Sequence, residues 1–316
     1  MDSVPPWPVV QSMLLTVVLP GFAVGAGVLT VICGATRSET VRLIGGALAL
    51  VGGLAAGNFT RGLLPWWSLE VGWPSLFPAT LAAVSGGVVA ALASARQGAL
   101  PGAPGMARPD ACLAPVPGEA RRSAPSIGRF GFLTMAGCAF WLAPAGSPPV
   151  QLGLFALLFS ASALNWEAFR RSGVQSLGRG ALLALAIPWG LAAATVLIHA
   201  HSARFCDLAV LQTATLAGLG LIAALRRLDV APLFAGPAVF FPALMLGGAA
   251  STFSEVPVAS FILVALAPCA LWSLKLPPIR QRSVRALAAA AVIAVLVPCA
   301  VAVILALRAE ALDFGE

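Results

Sequence analysis

The apolar residues of this chain fall in long runs separated by short polar breaks, and this alternation limits the fold more than any other feature. An apolar run of about 18 or more residues with few charges is long enough to cross a bilayer as a helix, which satisfies its own backbone where lipid offers no partner. Ten such runs are legible, over 10–34, 41–58, 76–95, 129–145, 150–168, 180–199, 206–225, 231–251, 257–274 and 285–307. Composition agrees with this reading. Of 316 residues, 59% are hydrophobic and 10% are charged, against about 25% charged in soluble domains. The expected fold is all-α, a polytopic transmembrane bundle of about ten spans.

The basic residues fix the expected orientation. Sixteen of the nineteen Lys and Arg fall in the odd-numbered connections or at the span ends that border them, and only Arg61, Arg204 and Arg308 fall in the even connections or the termini. Cytoplasmic connections carry the Lys/Arg excess in membrane proteins, so both termini are expected on the outer, periplasmic side. A missed span would swap the two sides downstream of the error, so the partition supports the number as well as the orientation. The +7 net charge does not point to nucleic acid, because the arginines are scattered singly and in pairs between apolar runs rather than gathered on one face. Arginine outnumbers lysine eighteen to one and alanine is abundant, which suggests a bacterial origin and a multi-pass protein of the cytoplasmic (inner) membrane. The segment before the first run has no basic residue, so that run reads as a retained helix and not a cleaved signal.

In this frame "LPWWSLEVGWP" at 64–74 lies in the second, outer connection. Indole rings favour the membrane–water boundary, where the ring meets hydrocarbon and the N–H meets water. Trp66, Trp67 and Trp73 are therefore expected as interfacial anchors with Glu70 facing water, an aromatic lid being the functional alternative. The third connection, 96–128, holds six prolines with mixed charge and reads as a disordered cytoplasmic loop. It falls within a first half, 1–168, with spans one to five; a second half, 169–316, holds spans six to ten. Two five-span halves would be inverted in topology, a common transporter plan.

Gly21 with Gly25, and Gly53 with Gly57, have the spacing that lets helices approach closely in lipid. Packing within the bundle is the plain reading, homodimerisation the sharper one. Prolines fall inside several spans: Pro20, Pro188, Pro268 and Pro298, with Pro232, Pro237 and Pro242 at steps of five in span eight. An internal proline removes a backbone hydrogen bond and kinks the helix. Span eight is the best sequence candidate for a broken helix of the kind that lines transporter sites, with simple kinking the plainer account.

No Asp, Glu, Lys, Arg or His lies deep inside a span, and Glu167, Asp207 and Glu255 sit at span ends. Coupling through a buried carboxylate is not expected; a path for neutral or apolar solutes is. Its candidate residues are Gln212, Thr215, Pro237, Pro242 and Asn165, of which Gln212 is the most polar side chain in the membrane interior. Interhelical hydrogen bonding is the competing role, since lipid offers an amide no partner. "IHAHSARFCD" at 198–207 gathers His199, His201, Cys206 and Asp207. These are Zn- and Cu-ligating types, though at no established spacing, and a plain helix end is the alternative. The six cysteines have no evident disulfide pairing. Phosphate loops, dinucleotide fingerprints and hydrolase motifs are lacking, and no cofactor is expected.

Three functions compete. The chain is a carrier or channel for a small neutral or amphipathic solute; or a non-catalytic membrane subunit or scaffold with a membrane-protein partner or a second copy; or a membrane-embedded enzyme acting on a lipid-linked substrate. The span number, the prolines of span eight and the Gly-rich packing favour the first; the lack of buried charge and of catalytic motifs, with the long inner loop, supports the second.

Overall fold

A computed structural model describes residues 11–36, 38–60, 85, 148–172, 181–226, 228, 231–251, 255–276 and 283–313. These residues form helices, with no strand among them. Helix α1 spans Gln11–Ala35, α2 Glu39–Thr60, α3 Pro148–Arg171, α4 Ala181–His199 and α5 Ala203–Arg226. A short 3-10 turn, Ala231–Phe234, leads into α6, Ala235–Ser251. Helix α7, Val258–Ala265, is followed by a 3-10 segment, Ala267–Lys275, and α8 covers Val284–Asp313.

Eight of the ten expected spans fall on described residues, and each coincides with helix to within a few residues. The runs 76–95 and 129–145, the loop 96–128 and the aromatic segment with Trp66, Trp67, Glu70 and Trp73 lie outside the described residues. Among the described residues three helices, in α1, α5 and α8, are long and apolar enough to cross a membrane, and α7 with its 3-10 segment makes a fourth if the bent pair is one span. Helices α2, α4 and α6 hold shorter apolar stretches.

Helix α5 is the axis of the described bundle. About two-thirds of its apolar stretch is buried, against roughly a quarter for α1 and α8. Large apolar side chains stand exposed on the two outer helices, including Leu15, Leu19 and Val31 on α1 and Ile293, Val297 and Ile304 on α8. Apolar surface of that extent on the outside of a bundle suits lipid as its solvent.

The glycines explain how α1, α2 and α5 come together. A Cβ at Gly25 would sit 2.6 Å from the Thr215 carbonyl oxygen, and one at Gly218 would collide with the Phe22 carbonyl. The α1 and α5 backbones therefore meet directly. On α2, Gly53 and Gly57 make room for the side chains of Thr215 and Leu211. Both small-residue pairs are used for packing inside the chain.

Span eight follows the plainer account, and the break falls in span nine. Helix α6 runs unbroken through Pro242, and Pro237 lies in its first turn. The two parts of span nine are instead bent by 51° at Leu266. Prolines 188 and 298 likewise sit inside continuous helices. A proline is thus insufficient by itself to break these helices.

Candidate functional site

Three helices each contribute one stripe at helical spacing to a common cleft. Leu157, Ala161 and Leu164 come from α3, with Leu158 and Ser160 beside them. Pro242, Met245, Leu246 and Ala249 come from α6. Val258, Phe261, Ile262 and Ala265 come from α7, and Leu266 closes the row at the bend. Residues three and four apart share one face of a helix, so each stripe is a single wall. The cleft holds about 270 Å³. Its lining carries one hydroxyl, that of Ser160, and no titratable side chain. Leu157, Leu164, Val258 and Ile262 are also exposed on the outer surface, so the rim of the cleft is itself apolar. Such a site holds hydrocarbon by desolvation and shape.

The end of the cleft at Leu266 is built with care for its polar atoms. In a continuous helix the Val264 carbonyl would accept from residue 268, but Pro268 has no N–H. Trp189 Nε1 on α4 donates to Val264 O at 2.7 Å. The next carbonyl, Ala265 O, loses Cys269 N–H, which turns to Leu266 O at 2.9 Å. Asn165 Nδ2 on α3 takes its place on Ala265 O at 2.7 Å. Asn165 Oδ1 in turn accepts from the Cys269 thiol at 3.2 Å. Asn165 is fully buried and Cys269 half-buried, so these bonds are partly shielded from competing water. Trp189 is held by an aromatic stack, tilted on Phe241 at 4.7 Å and stacked on Phe234, which lies 3.9 Å from Phe169.

The sequence candidates are thus dispersed. Pro242 lines the cleft and Asn165 ties its closed end. Thr215 does neither; it is buried in the seam of α1, α2 and α5, and its hydroxyl donates to Leu211 O at 2.9 Å. Pro237 is buried in the first turn of α6 and does not line the cleft. Gln212 is fully buried on α5, and among the described residues neither atom of its amide has a hydrogen-bond partner. The interhelical bonding expected of it is not seen. Ser162 and Ser260 are buried as well, and their hydroxyls have no partner among the described residues.

The histidine cluster has a local explanation. His201 adopts φ 56°, Ser202 N donates to Leu197 O, and His201 N donates to Ile198 O, both at 3.0 Å. That pair of bonds with a left-handed residue is the Schellman ending of a helix. Ser202 O then accepts from Cys206 N at 3.0 Å as α5 begins. Cys206 is buried while His201 is exposed. Among the described residues no three His, Cys, Asp or Glu side chains come together to hold a metal ion, so His199, His201, Cys206 and Asp207 are not brought together as a ligand set.

Sequence reasoning missed Trp189. It treated Trp as a boundary residue, and the one available signal was a tryptophan deep in an apolar run directly after Pro188. The chain matches no family model, no curated protein and no solved structure.

Proposed function

We propose that this chain is a multi-pass protein of a bacterial cytoplasmic membrane that carries a small neutral or amphipathic molecule, with ten spans and both termini outside. The observation that carries the reading is the cleft between α3, α6 and α7, walled by carbon and ending on a broken helix. A solute with an apolar body matches those walls. Charged substrates do not, because no ionisable side chain lines the cleft. Interrupted helices allow one wall of a site to move against the others.

Flux tests it. Purified protein in proteoliposomes is expected to move small neutral solutes and single-chain alcohols faster than empty vesicles do. Ala249→Trp fills the cleft from α6 and is expected to cut that flux by about tenfold, the rate effect of about 1.4 kcal/mol. Folded protein that moves none of a broad panel overturns the carrier reading. If it also retains a membrane-protein partner in mild detergent, it is a subunit of a larger assembly instead.

A further inference from the structure

Span nine departs from every other described helix in three ways. It bends by 51°. Its second part runs nine residues as 3-10 helix, although 3-10 runs beyond about four residues are uncommon and often mark a hinge. Side chains from two other helices hold the carbonyls at the bend. Prolines 188, 242 and 298 produce no such break, so Pro268 alone does not account for it.

We infer that residues 258–275 form a latched hinge, with Asn165 as the latch, and that an apolar occupant of the cleft holds the hinge bent. The inference rests on the reading that the cleft binds an apolar or amphipathic molecule. In the bent state Asn165 grips both sides of the break: its Nδ2 holds Ala265 O and its Oδ1 receives the Cys269 thiol. Rewinding the segment to α-helix moves Cys269 N–H from Leu266 O to Ala265 O and carries the thiol away from Asn165. The rise per residue falls from 2.0 to 1.5 Å, so nine residues shorten by about 4.5 Å. Lys275, whose ammonium lies 4.2 Å from the Trp272 ring, moves with the far end. The cleft couples to this change directly. Ala265 and Leu266, at the break, line it, and Ala161, one turn before Asn165 on α3, lines the facing wall. An occupant packed between them opposes any motion of α7 against α3.

Cys269 reports the state of the latch. The full chain in lipid nanodiscs is treated with N-ethylmaleimide, and alkylation of Cys269, Cys206 and Cys299 is followed peptide by peptide by mass spectrometry. Asn165→Leu keeps the branched heavy-atom shape and removes both hydrogen bonds. It is expected to raise the Cys269 rate about tenfold, equivalent to about 1.4 kcal/mol of latch, with Cys206 and Cys299 unchanged. A wild-type rate at Cys269 in this variant overturns the inference. If all three cysteines react faster, the bundle has loosened, and Ala161→Phe decides. That variant leaves Asn165 in place and fills the cleft, so slower alkylation of Cys269 supports the hinge and an unchanged or faster rate overturns it. The two readings separate cleanly. Flux with an unresponsive Cys269 retains the carrier and removes the hinge, whereas a responsive Cys269 without flux does the reverse.

Discussion

At the scale of single residues, two prolines of the described bundle, Pro20 and Pro268, release carbonyls that find donors on other helices. Pro20 cannot donate to Thr16 O, and the helix widens there into a π turn over Leu14–Val18. Thr60, at the end of α2, donates its hydroxyl to Thr16 O at 2.6 Å. Pro268 cannot donate to Val264 O, and Trp189 does so instead. In hydrocarbon a carbonyl without a donor costs several kcal/mol, so these two prolines each impose a requirement on a residue far away in sequence. His201 is the opposite case, a residue whose own backbone is strained. A non-glycine residue in the left-handed region costs on the order of 1–2 kcal/mol. His201→Gly should therefore raise the unfolding midpoint in detergent, by the equivalent of about 1 kcal/mol, and His201→Val should lower it. A loss of stability in the glycine variant would show that the imidazole itself holds the turn.

At the scale of elements, the positions of the helices were legible and their interruptions were not. Apolar runs mark helices because the signal is local: each residue reports its own preference for lipid or water. The bend in span nine depends on Asn165, 100 residues before Ala265, and on Trp189, 75 residues before Val264. Nothing in the run 257–274 encodes those partners, while three prolines at steps of five made span eight the better guess. The same distinction applies to the candidate site. Pro242 and Asn165 were named for their chemistry and do reach the cleft or its end, whereas Thr215 has that chemistry and is spent on helix packing. The α1–α5 seam gives the element-scale prediction. Gly25→Ala forces a methyl against the Thr215 carbonyl and should destabilise the protein by about 1–3 kcal/mol, as overpacking does. Gly27→Ala, two residues on, meets open space and should leave stability unchanged or raise it, since alanine is the better helix former. Thermal unfolding of the two variants in one detergent checks the contrast; equal effects would mean that α1 does not pack on α5 through Gly25.

At the scale of the molecule, the bent segment decides where the chain ends. A pair of helices joined at 51° crosses the bilayer as a broken span or turns back to the side it entered. The two paths place everything after Lys275 on opposite sides of the membrane. The outer connections precede α7 in the ten-span reading, so a crossing brings residues 276–283 to the cytoplasm, and a turn leaves them outside. Charge favours the crossing. Lys275, Arg280, Arg282 and Arg285 cluster directly after the segment, and such clusters stay with the cytoplasm. Length agrees: eight residues of α-helix and nine of 3-10 helix rise about 30 Å together before the bend shortens them, close to the hydrocarbon thickness. Fusions at defined positions test this. Green fluorescent protein inserted after residue 283 should fluoresce, and alkaline phosphatase placed there should be inactive. Phosphatase after residue 256, or at either terminus, should be active. The reverse pattern at 283 and at the C-terminus, with 256 unchanged, would make α7 and its 3-10 segment a re-entrant hairpin. The cleft would then sit at the tip of a loop dipping into the bilayer, and α8 would return the C-terminus to the cytoplasm.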